Sequence, residues 1–575
     1  MAQWFGSLLH GFPMDCTVAG YLTVVPLLLV VASIATGSRV VRTVENVYYV
    51  LVAVVLAVVF SLDLVLYGYW NFRLDSTPLF YFSTSPEAAM ASATASDAIV
   101  GVVGFTAMAA LVYLLCRKFL LSVRIERIRS WKPYALAVLL AGILFIPIRG
   151  GFTVSTMNIS RAYYSTNARL NHAAVNPAFS LLYSATHQTD FSSQYRFFDE
   201  VEAERIFAGM NAADSCAVDS TSAWLRIQRP DICLVLLESF SSHLMPSLGG
   251  ENIAVGLDSL GREGILFSRI FASSFRTDRA LPAVISAFPG QPSTSLMKFT
   301  GKTEHLPSLP MSLKDNGYDL AYYYGGDANF TNMRAYLANC GFGEIISDRD
   351  FPISERLSKW GVHDHLVFRR ALRDLAEPRP DGAAPRFTII QTSSSHEPFE
   401  VPYSNPRFAG NARANAFAYA DSCLFNFVDS LRTLPSFDRT LFVIVPDHYG
   451  AYPENLQSSF DRHRVPVVFV GGALARRVVV DTVGSQTDLA ATILSALGIA
   501  HDGFTFSRDL FDPAIGHYAF FSEPSLMAVV GPGGGVALNA DSGEICAEEG
   551  DPDTDTLARY AKAYLQKIYT VLSSL

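Results

Sequence analysis

Ile232-Cys-Leu-Val-Leu-Leu237 is an apolar run that stops at Glu238-Ser239, and Thr440-Leu-Phe-Val-Ile-Val445 stops in the same way at Pro446-Asp447-His448-Tyr449-Gly450. Short β-rich runs bounded by turn residues predict buried strands of an α/β sheet. In open sheets of that kind the ligand lies beyond the carboxyl ends of the strands. Two such ends delivering Glu238, Asp447 and His448 would bring carboxylates and an imidazole together, a donor set for a divalent metal.

The surrounding sequence repeats the pattern. From Pro230 onward, candidate strands at 232–237, 320–324, 387–391, 441–445 and 465–470 alternate with amphipathic segments at 304–316, 414–434 and 486–497. That alternation predicts a mainly parallel sheet with helices on both faces. Segments 518–521, 527–530 and 535–538 read instead as a small antiparallel unit, and 555–572 as a closing helix.

The whole chain is too apolar for this domain alone. Of its 575 residues 50% are hydrophobic and only 17% charged, with a mean hydropathy of +0.24, and the excess sits in the first 150 residues. Four runs, 17–37, 47–68 (interrupted by Asp63), 98–115 and 133–148, suit membrane spans. Arg117, Lys118, Arg124, Arg127, Arg129 and Lys132 against the single acid Glu126 predict a cytoplasmic loop between the last two spans, and Arg39 and Arg42 agree. Everything after Ile148 is then expected outside the cytoplasm. Met1 falls on that side as well, which calls for either an earlier span or an interfacial segment at Trp4–Phe12. The expected plan is a membrane domain at 1–150, a helical linker at 151–229 marked by Asn167, Asn171 and Asn176, and an extracytoplasmic catalytic domain at 230–575. A net charge of -9 without a basic stripe argues against a nucleic-acid partner. Of seven cysteines, Cys216, Cys340, Cys423 and Cys546 are candidates for at most one disulfide, a reduced chain being the alternative, and no CxxC spacing occurs.

Between the two ligand-bearing strands lies Phe275-Arg-Thr-Asp-Arg-Ala-Leu-Pro282. Thr277 stands where a helix would begin and, taken alone, reads as an N-cap. The other reading is a nucleophile at a helix N-terminus, where free amides and the dipole favour an arriving phosphate. A threonine hydroxyl needs its pKa lowered to act so, and contact with a metal does this.

Glu238, Thr277 and Asp447-His448, in that order and spacing, resemble the metal site and nucleophile of lipoteichoic acid synthases, membrane-anchored phosphoglycerol transferases of the alkaline phosphatase/sulfatase superfamily. The resemblance extends over the whole plan of spans, linker and extracytoplasmic domain. It implies a phosphoglycerol intermediate on Thr277 and a divalent ion held by Glu238, Thr277, Asp447 and His448. Manganese is the usual ion of that family, with magnesium or zinc as alternatives. The implied donor is a phospholipid, phosphatidylglycerol by this resemblance, and the acceptor a hydroxyl of a glycan, lipid or polymer. The implied location is the plasma (inner) membrane.

Two further segments carry the same resemblance. Thr392-Ser-Ser-Ser-His396-Glu-Pro-Phe399 is similar to the family's Ser/Asn-His-x-Pro-Phe motif, which makes His396 the candidate phosphate contact or general acid/base. Tyr323-Tyr-Gly-Gly-Asp327-Ala-Asn-Phe-Thr-Asn332-Met-Arg334 is similar to the family's His-Gly-Asp/Asn…Phe-Trp-Asn-Arg loop. Tyr324 stands near the histidine and Thr331 near the tryptophan, so Tyr324, Asp327, Asn332 and Arg334 are the candidate head-group contacts. His463 of His463-Arg-Val-Pro466 stands one position early for the His-Val-Pro motif of phosphoethanolamine transferases. It is a candidate for the phosphate or a second metal, a solvated loop being its plain alternative. Trp360-Gly-Val-His363-Asp364-His365 is read as the start of a helix near the site, with Trp360 packing, and not as a ligand cluster. Thr277-Asp-Arg-Ala-Leu-Pro282 lacks the C/S-x-P-x-R motif that yields formylglycine, which disfavours sulfate ester hydrolysis. Phosphoethanolamine transfer, or a non-catalytic membrane receptor for glycerophosphate, remain the competing functions.

Overall fold

A computed structural model of the chain describes residues 2–36, 39–70, 73–75, 78, 95–121, 127–187, 190–210, 224–380, 382–450, 452–454 and 456–575. The chain divides into two compact units, Met1–Thr189 with Asn329–Ala335, and Asp190–Ala328 with Tyr336–Leu575. The linker expected at 151–229 is therefore shared between the two units.

The first unit is built on four helices, α1 (Ala2–Thr36), α2 (Arg39–Trp70), α3 (Ala95–Phe119) and α4 (Lys132–Arg149). All four are long and apolar enough to cross a membrane. In hydrocarbon every backbone amide must be paired within the chain, which a helix achieves by itself. Outward they show Val55, Leu64, Val102, Leu139 and Phe145, side chains suited to lipid. Helix α1 departs from expectation: it starts at Ala2, takes in Trp4–Phe12 and runs through Pro13 and Pro26 as one element. Asp63, the acid that interrupts the second span, is buried and paired with Arg73, and it accepts from the Leu74 amide at 2.9 Å. An intramembrane carboxylate is tolerated when partnered in this way.

Beyond α4 the polar segment folds into short helices, two of which are capped at their start by asparagines. Asn167 Oδ1 accepts from Arg169 N at 3.1 Å, and Asn176 Oδ1 from Ala178 N at 2.9 Å. Residues 329–335 belong to this unit through Asn158 Nδ2, which donates to Asn329 O at 2.8 Å, and Ala335 N, which donates to Ser160 Oγ at 2.7 Å.

The second unit holds a nine-stranded sheet. Its strands are β1 (Asp231–Leu237), β2 (Ile265–Phe271), β3 (Asp319–Tyr324), β4 (Ile345–Ile346), β5 (Arg386–Gln391), β6 (Thr440–Pro446), β7 (Arg464–Val470), β8 (Val478–Val480) and β9 (Gly484–Ser485). The order is β4-β3-β5-β1-β6-β7-β2-β8, with β9 on β2. From β4 to β6 all neighbours are parallel, and β7 runs antiparallel to β6 and β2. Cys233, Val235 and Leu237 pack with Leu257, Phe417, Leu424 and Phe427, while Ile232, Leu234 and Leu236 are buried on the other side of β1. Both faces being covered, the strand reads as an unbroken apolar run. The mainly parallel α/β sheet expected from the sequence is present.

A second sheet joins β10 (Ala519–Glu523), β11 (Leu526–Val530), β12 (Gly534–Asn539) and β13 (Ile545–Gly550) as an antiparallel meander. Phe520, Met527, Val529 and Leu538 pack there with Ala561, Tyr564, Leu565 and Ile568 of the closing helix Thr554–Ser574. Among the described residues no disulfide forms: Cys340, Cys423 and Cys546 are free, and Cys216 lies outside the described residues.

Candidate active site

The site is assembled by strand register. Leu237 pairs with Pro446 across β1 and β6, so the next residues, Glu238 and Asp447, leave the sheet side by side. The chain then turns at once. Ser239 takes a left-handed φ of 67°, and its amide donates to Asp447 Oδ1 at 2.8 Å. Gly450 follows the second strand because a Cβ there would meet Ser239 Cβ at 2.3 Å. His448 N also donates to Asp447 Oδ1, at 2.7 Å, which commits that oxygen to the backbone. Asp447 Oδ2 is buried without a hydrogen-bond partner.

Glu238, Asp447 and His448 bring their ligand atoms within 4.8 Å of one another. His448 Nε2 lies 3.3 Å from Asp447 Oδ2 and 3.7 Å from Glu238 Oε1. His448 Nδ1 faces the Tyr449 carbonyl at 3.0 Å. A carbonyl only accepts, so in the neutral ring Nδ1 carries the hydrogen and Nε2 presents a lone pair to the carboxylates. Burial, and next the Asp447 carboxylate, push the Glu238 carboxyl well above its usual range. Two buried carboxylates facing a bare imidazole nitrogen form a cluster short of positive charge.

Thr277 completes the group. It is the first residue of helix α5 (Thr277–Ile285), whose N-cap is Arg276, and no side chain caps that end. The Thr277 hydroxyl points instead at His448, with Oγ1 3.3 Å from Nε2. The plain N-cap reading is thus displaced by one residue. Pro282 within α5 has no N–H for the Asp278 carbonyl four residues back, and Ser295 Oγ donates to that oxygen at 2.8 Å.

Gln486 ties the two approaches together and was not singled out from the sequence. Its Oε1 accepts from Ser273 N at 2.9 Å on the way to Thr277, and its Nε2 donates to Pro446 O and Asp447 O at 2.6 and 2.7 Å. A buried glutamine opening an apolar segment was the one available signal. Thr392 Oγ1 accepts from Glu238 N at 2.8 Å, and Ser395 Oγ donates to Glu238 O at 2.6 Å. The Thr392-Ser-Ser-Ser395 run therefore brackets Glu238.

The other expected residues take varied places. His396 packs against Trp360, with ring centroids 4.2 Å apart and planes tilted by 53°, and its Nδ1 lies 3.1 Å from Glu397 O. Burial holds its pKa below the usual imidazole value, and His448 adds to this. Tyr324 ends β3 and is buried; burial first, then Glu238 and Asp327, raise its hydroxyl pKa. Asp327 is buried in the loop that follows. Asn332 and Arg334 fall in the first unit. There Asn332 is buried, accepts from Ser160 N at 3.4 Å and donates to Tyr183 Oη at 2.9 Å.

His463 is not a solvated loop histidine. It is buried and stacked on Phe521 at 4.0 Å, with Nδ1 2.9 Å from Ser459 O and Nε2 without a partner. Burial brings its pKa down to about 3.

Residues 230–499 match the family model described as Sulfatase. They form a sulfatase-family domain. Among solved structures, an alkaline phosphatase superfamily protein from Vibrio parahaemolyticus superposes with a TM-score of 0.58 at 22% identity, over 66% of this chain and 98% of that one. The lipoteichoic acid synthase LtaP from Listeria monocytogenes gives 0.53 at 19%, over 65% and 98%. At such identities the likeness shows the fold. By sequence, the lipoteichoic acid synthase-like YvgJ of Bacillus subtilis is 22% identical over 358 residues, 57% of either chain. Phosphoglycerol transferase I of Xanthomonas campestris pv. campestris is 26% identical over 211 residues, 34% of this chain and 30% of that protein. The chain thus spans about half, or less, of the length of these curated relatives.

Proposed function

We propose that the sulfatase-family domain transfers a phosphoglycerol head group from a membrane phospholipid, through a covalent Thr277 adduct, to a hydroxyl acceptor on a glycan, lipid or polymer. The observation that carries this reading is the Thr277 hydroxyl at a helix start, 3.3 Å from the bare nitrogen of His448. The names of the relatives, lipoteichoic acid synthase-like protein and phosphoglycerol transferase, support the same chemistry.

The residues present fit a divalent cation. Asp447 Oδ2 is buried and unpartnered, and His448 Nε2 lies 3.3 Å from it and 3.7 Å from Glu238 Oε1. Glu238, Asp447, His448 and Thr277 would hold the ion, with manganese first by family resemblance. Bound there, a cation offsets the two carboxylates and lowers the pKa of the threonine hydroxyl.

Thr277 Oγ1 forms a bond to phosphorus as the bond from phosphorus to the diacylglycerol oxygen breaks. The proton lost from Thr277 is balanced by the one diacylglycerol gains. In the return step the acceptor oxygen takes the phosphorus, Thr277 Oγ1 leaves, and the acceptor's proton restores the hydroxyl. His396, with Nδ1 committed to a carbonyl, is assigned the proton exchange through Nε2. The amides opening α5 favour the phosphate's charge. Tyr324 and Asp327 are the assigned head-group contacts of this domain. Since donor and departing product are both lipids, four apolar helices on the same chain keep the reaction at the bilayer, with the catalytic domain on its extracytoplasmic face.

Intact-mass measurement of the full-length protein after incubation with phosphatidylglycerol vesicles and manganese tests the proposal. A phosphoglycerol adduct on Thr277, absent from Thr277→Ala, is expected. An adduct formed only with phosphatidylethanolamine would reassign the head group, and none with either lipid would defeat the transferase reading.

A further inference from the structure

The segment Ser358–Asp364 bridges two loops at the carboxyl edge of the sheet. Toward the loop after β3, Val362 N donates to Gly325 O at 2.8 Å. Gly361, at φ 120°, passes so close that a Cβ would lie 2.2 Å from that same oxygen. Toward the loop after β5, the buried Asp364 carboxylate accepts from Ser393 N at 2.9 Å and Ser394 N at 3.2 Å, while Asp364 N donates to Ser394 Oγ at 3.0 Å. The loop that carries His396 is therefore held at its start by Asp364.

It is held again at His396 itself. Trp360 Nε1 donates to Glu397 O at 2.7 Å, and His396 Nδ1 lies 3.1 Å from the same oxygen. The indole also packs against the imidazole, tilted by 53° at 4.2 Å between centroids. A carbonyl has two lone pairs and can take both N–H groups. The shared acceptor selects the His396 tautomer with hydrogen on Nδ1, leaving Nε2 to exchange a proton. The indole packed against it restricts rotation about the Cβ–Cγ bond.

We propose that Trp360 is a positioning residue for His396, fixing its tautomer and ring plane through the Glu397 carbonyl. This rests on the reading of His396 as the proton-exchanging group. It gives the Trp360-Gly-Val-His363-Asp364-His365 motif a role in the reaction without making it a ligand set.

The test uses the full-length protein in phosphatidylglycerol vesicles. Trp360→Phe keeps a ring against His396 and removes the N–H donor. Its kcat is expected to fall roughly tenfold with the lipid KM unchanged, a smaller loss than the hundredfold or more of His396→Ala. In the His396→Ala background Trp360→Phe is expected to change nothing further, because its effect acts through that imidazole. An unchanged kcat for Trp360→Phe, or its full effect persisting without His396, would overturn the proposal. Ring-15N spectra of histidine-labelled protein read the tautomer without turnover. The wild type is expected to show His396 protonated on Nδ1, and Trp360→Phe a mixture; an Nε2–H signal in the wild type would overturn the proposal. If the wild type transfers no head group, the transferase reading fails, and the spectra still decide the role of Trp360.

Discussion

Threonine hydroxyls are unreactive in water, and Thr277 differs from its neighbours in lying 3.3 Å from His448 Nε2 at the start of α5. Since that hydroxyl caps no helix amide, Thr277→Ala removes the attacking oxygen and its contact with His448 but no helix cap. Transfer is expected to fall by on the order of 10³-fold or more, with stability changed by less than about 0.5 kcal/mol; turnover and thermal unfolding of one preparation check both. The carboxylates give a second expectation. Glu238 and Asp447 are buried together, and no hydrogen bond reaches Asp447 Oδ2. A cation bound only by the folded chain stabilises it, by about 2.7 kcal/mol at a hundred times its Kd. Manganese should therefore raise the unfolding midpoint of the wild type, a chelator should reverse the rise, and Asp447→Asn should abolish it. A midpoint indifferent to manganese in the wild type would remove this donor set from consideration.

Among the elements, helix Val255–Glu263 has Ala254 at its N-cap and no capping side chain of its own. The helix Ala412–Arg432 supplies the missing acceptor: Asp421 Oδ2 takes Gly256 N and Oδ1 takes Leu257 N, both at 2.7 Å. Burial pushes the Asp421 pKa up to about 7. Between the unfolded value near 4 and that figure, the folded chain binds the extra proton, so this group's stabilisation is complete below about pH 4 and is lost as pH rises through 7. The loss is on the order of 4 kcal/mol. Unfolding midpoints of Asp421→Asn should therefore vary less with pH from 4 to 7 than those of the wild type. Equal slopes would show that Asp421 does not titrate in that window. The same elements show why parts of this fold were legible and others were not. Strands β1, β3, β5, β6 and β7 are apolar runs, and each was expected within a residue or two. Strand β2 was missed because Ser268-Arg269 interrupts it. The register shifts between Phe267 and Ile270, Ser268 Oγ donates to Asp481 Oδ1 at 2.6 Å, and Arg269 reaches the Gly531 and Pro532 carbonyls. Strand β13 is exposed along its whole length and carries no alternation to read. Glu238, Asp447 and His448 were legible because they interrupt apolar runs abruptly, whereas Gln486 acts through backbone carbonyls that leave no trace in sequence.

For the whole molecule, the side of the membrane on which the domain lies decides which lipids and acceptors it meets. By the charge rule, Arg127 and Arg129, with Lys132 at the start of α4, would set the connection between α3 and α4 in the cytoplasm. One further crossing, α4, would then carry the rest of the chain to the opposite face, as the proposed function requires. The molecule holds its own probe of this orientation. Cys546 is exposed on β13, whereas Cys233, Cys340 and Cys423 are buried and free. A membrane-impermeant maleimide reacts with an exposed thiol and cannot reach a cytoplasmic one in an intact spheroplast. In a background with Cys16, Cys116 and Cys216 changed to serine, spheroplasts should label the chain, and adding Cys546→Ser should remove the label. Labelling only after lysis would place the domain in the cytoplasm. That outcome would leave the four Glu238, Thr277, Asp447 and His448 contacts unchanged but would restrict donor lipid to the inner leaflet, and with it the acceptor to molecules made on that side.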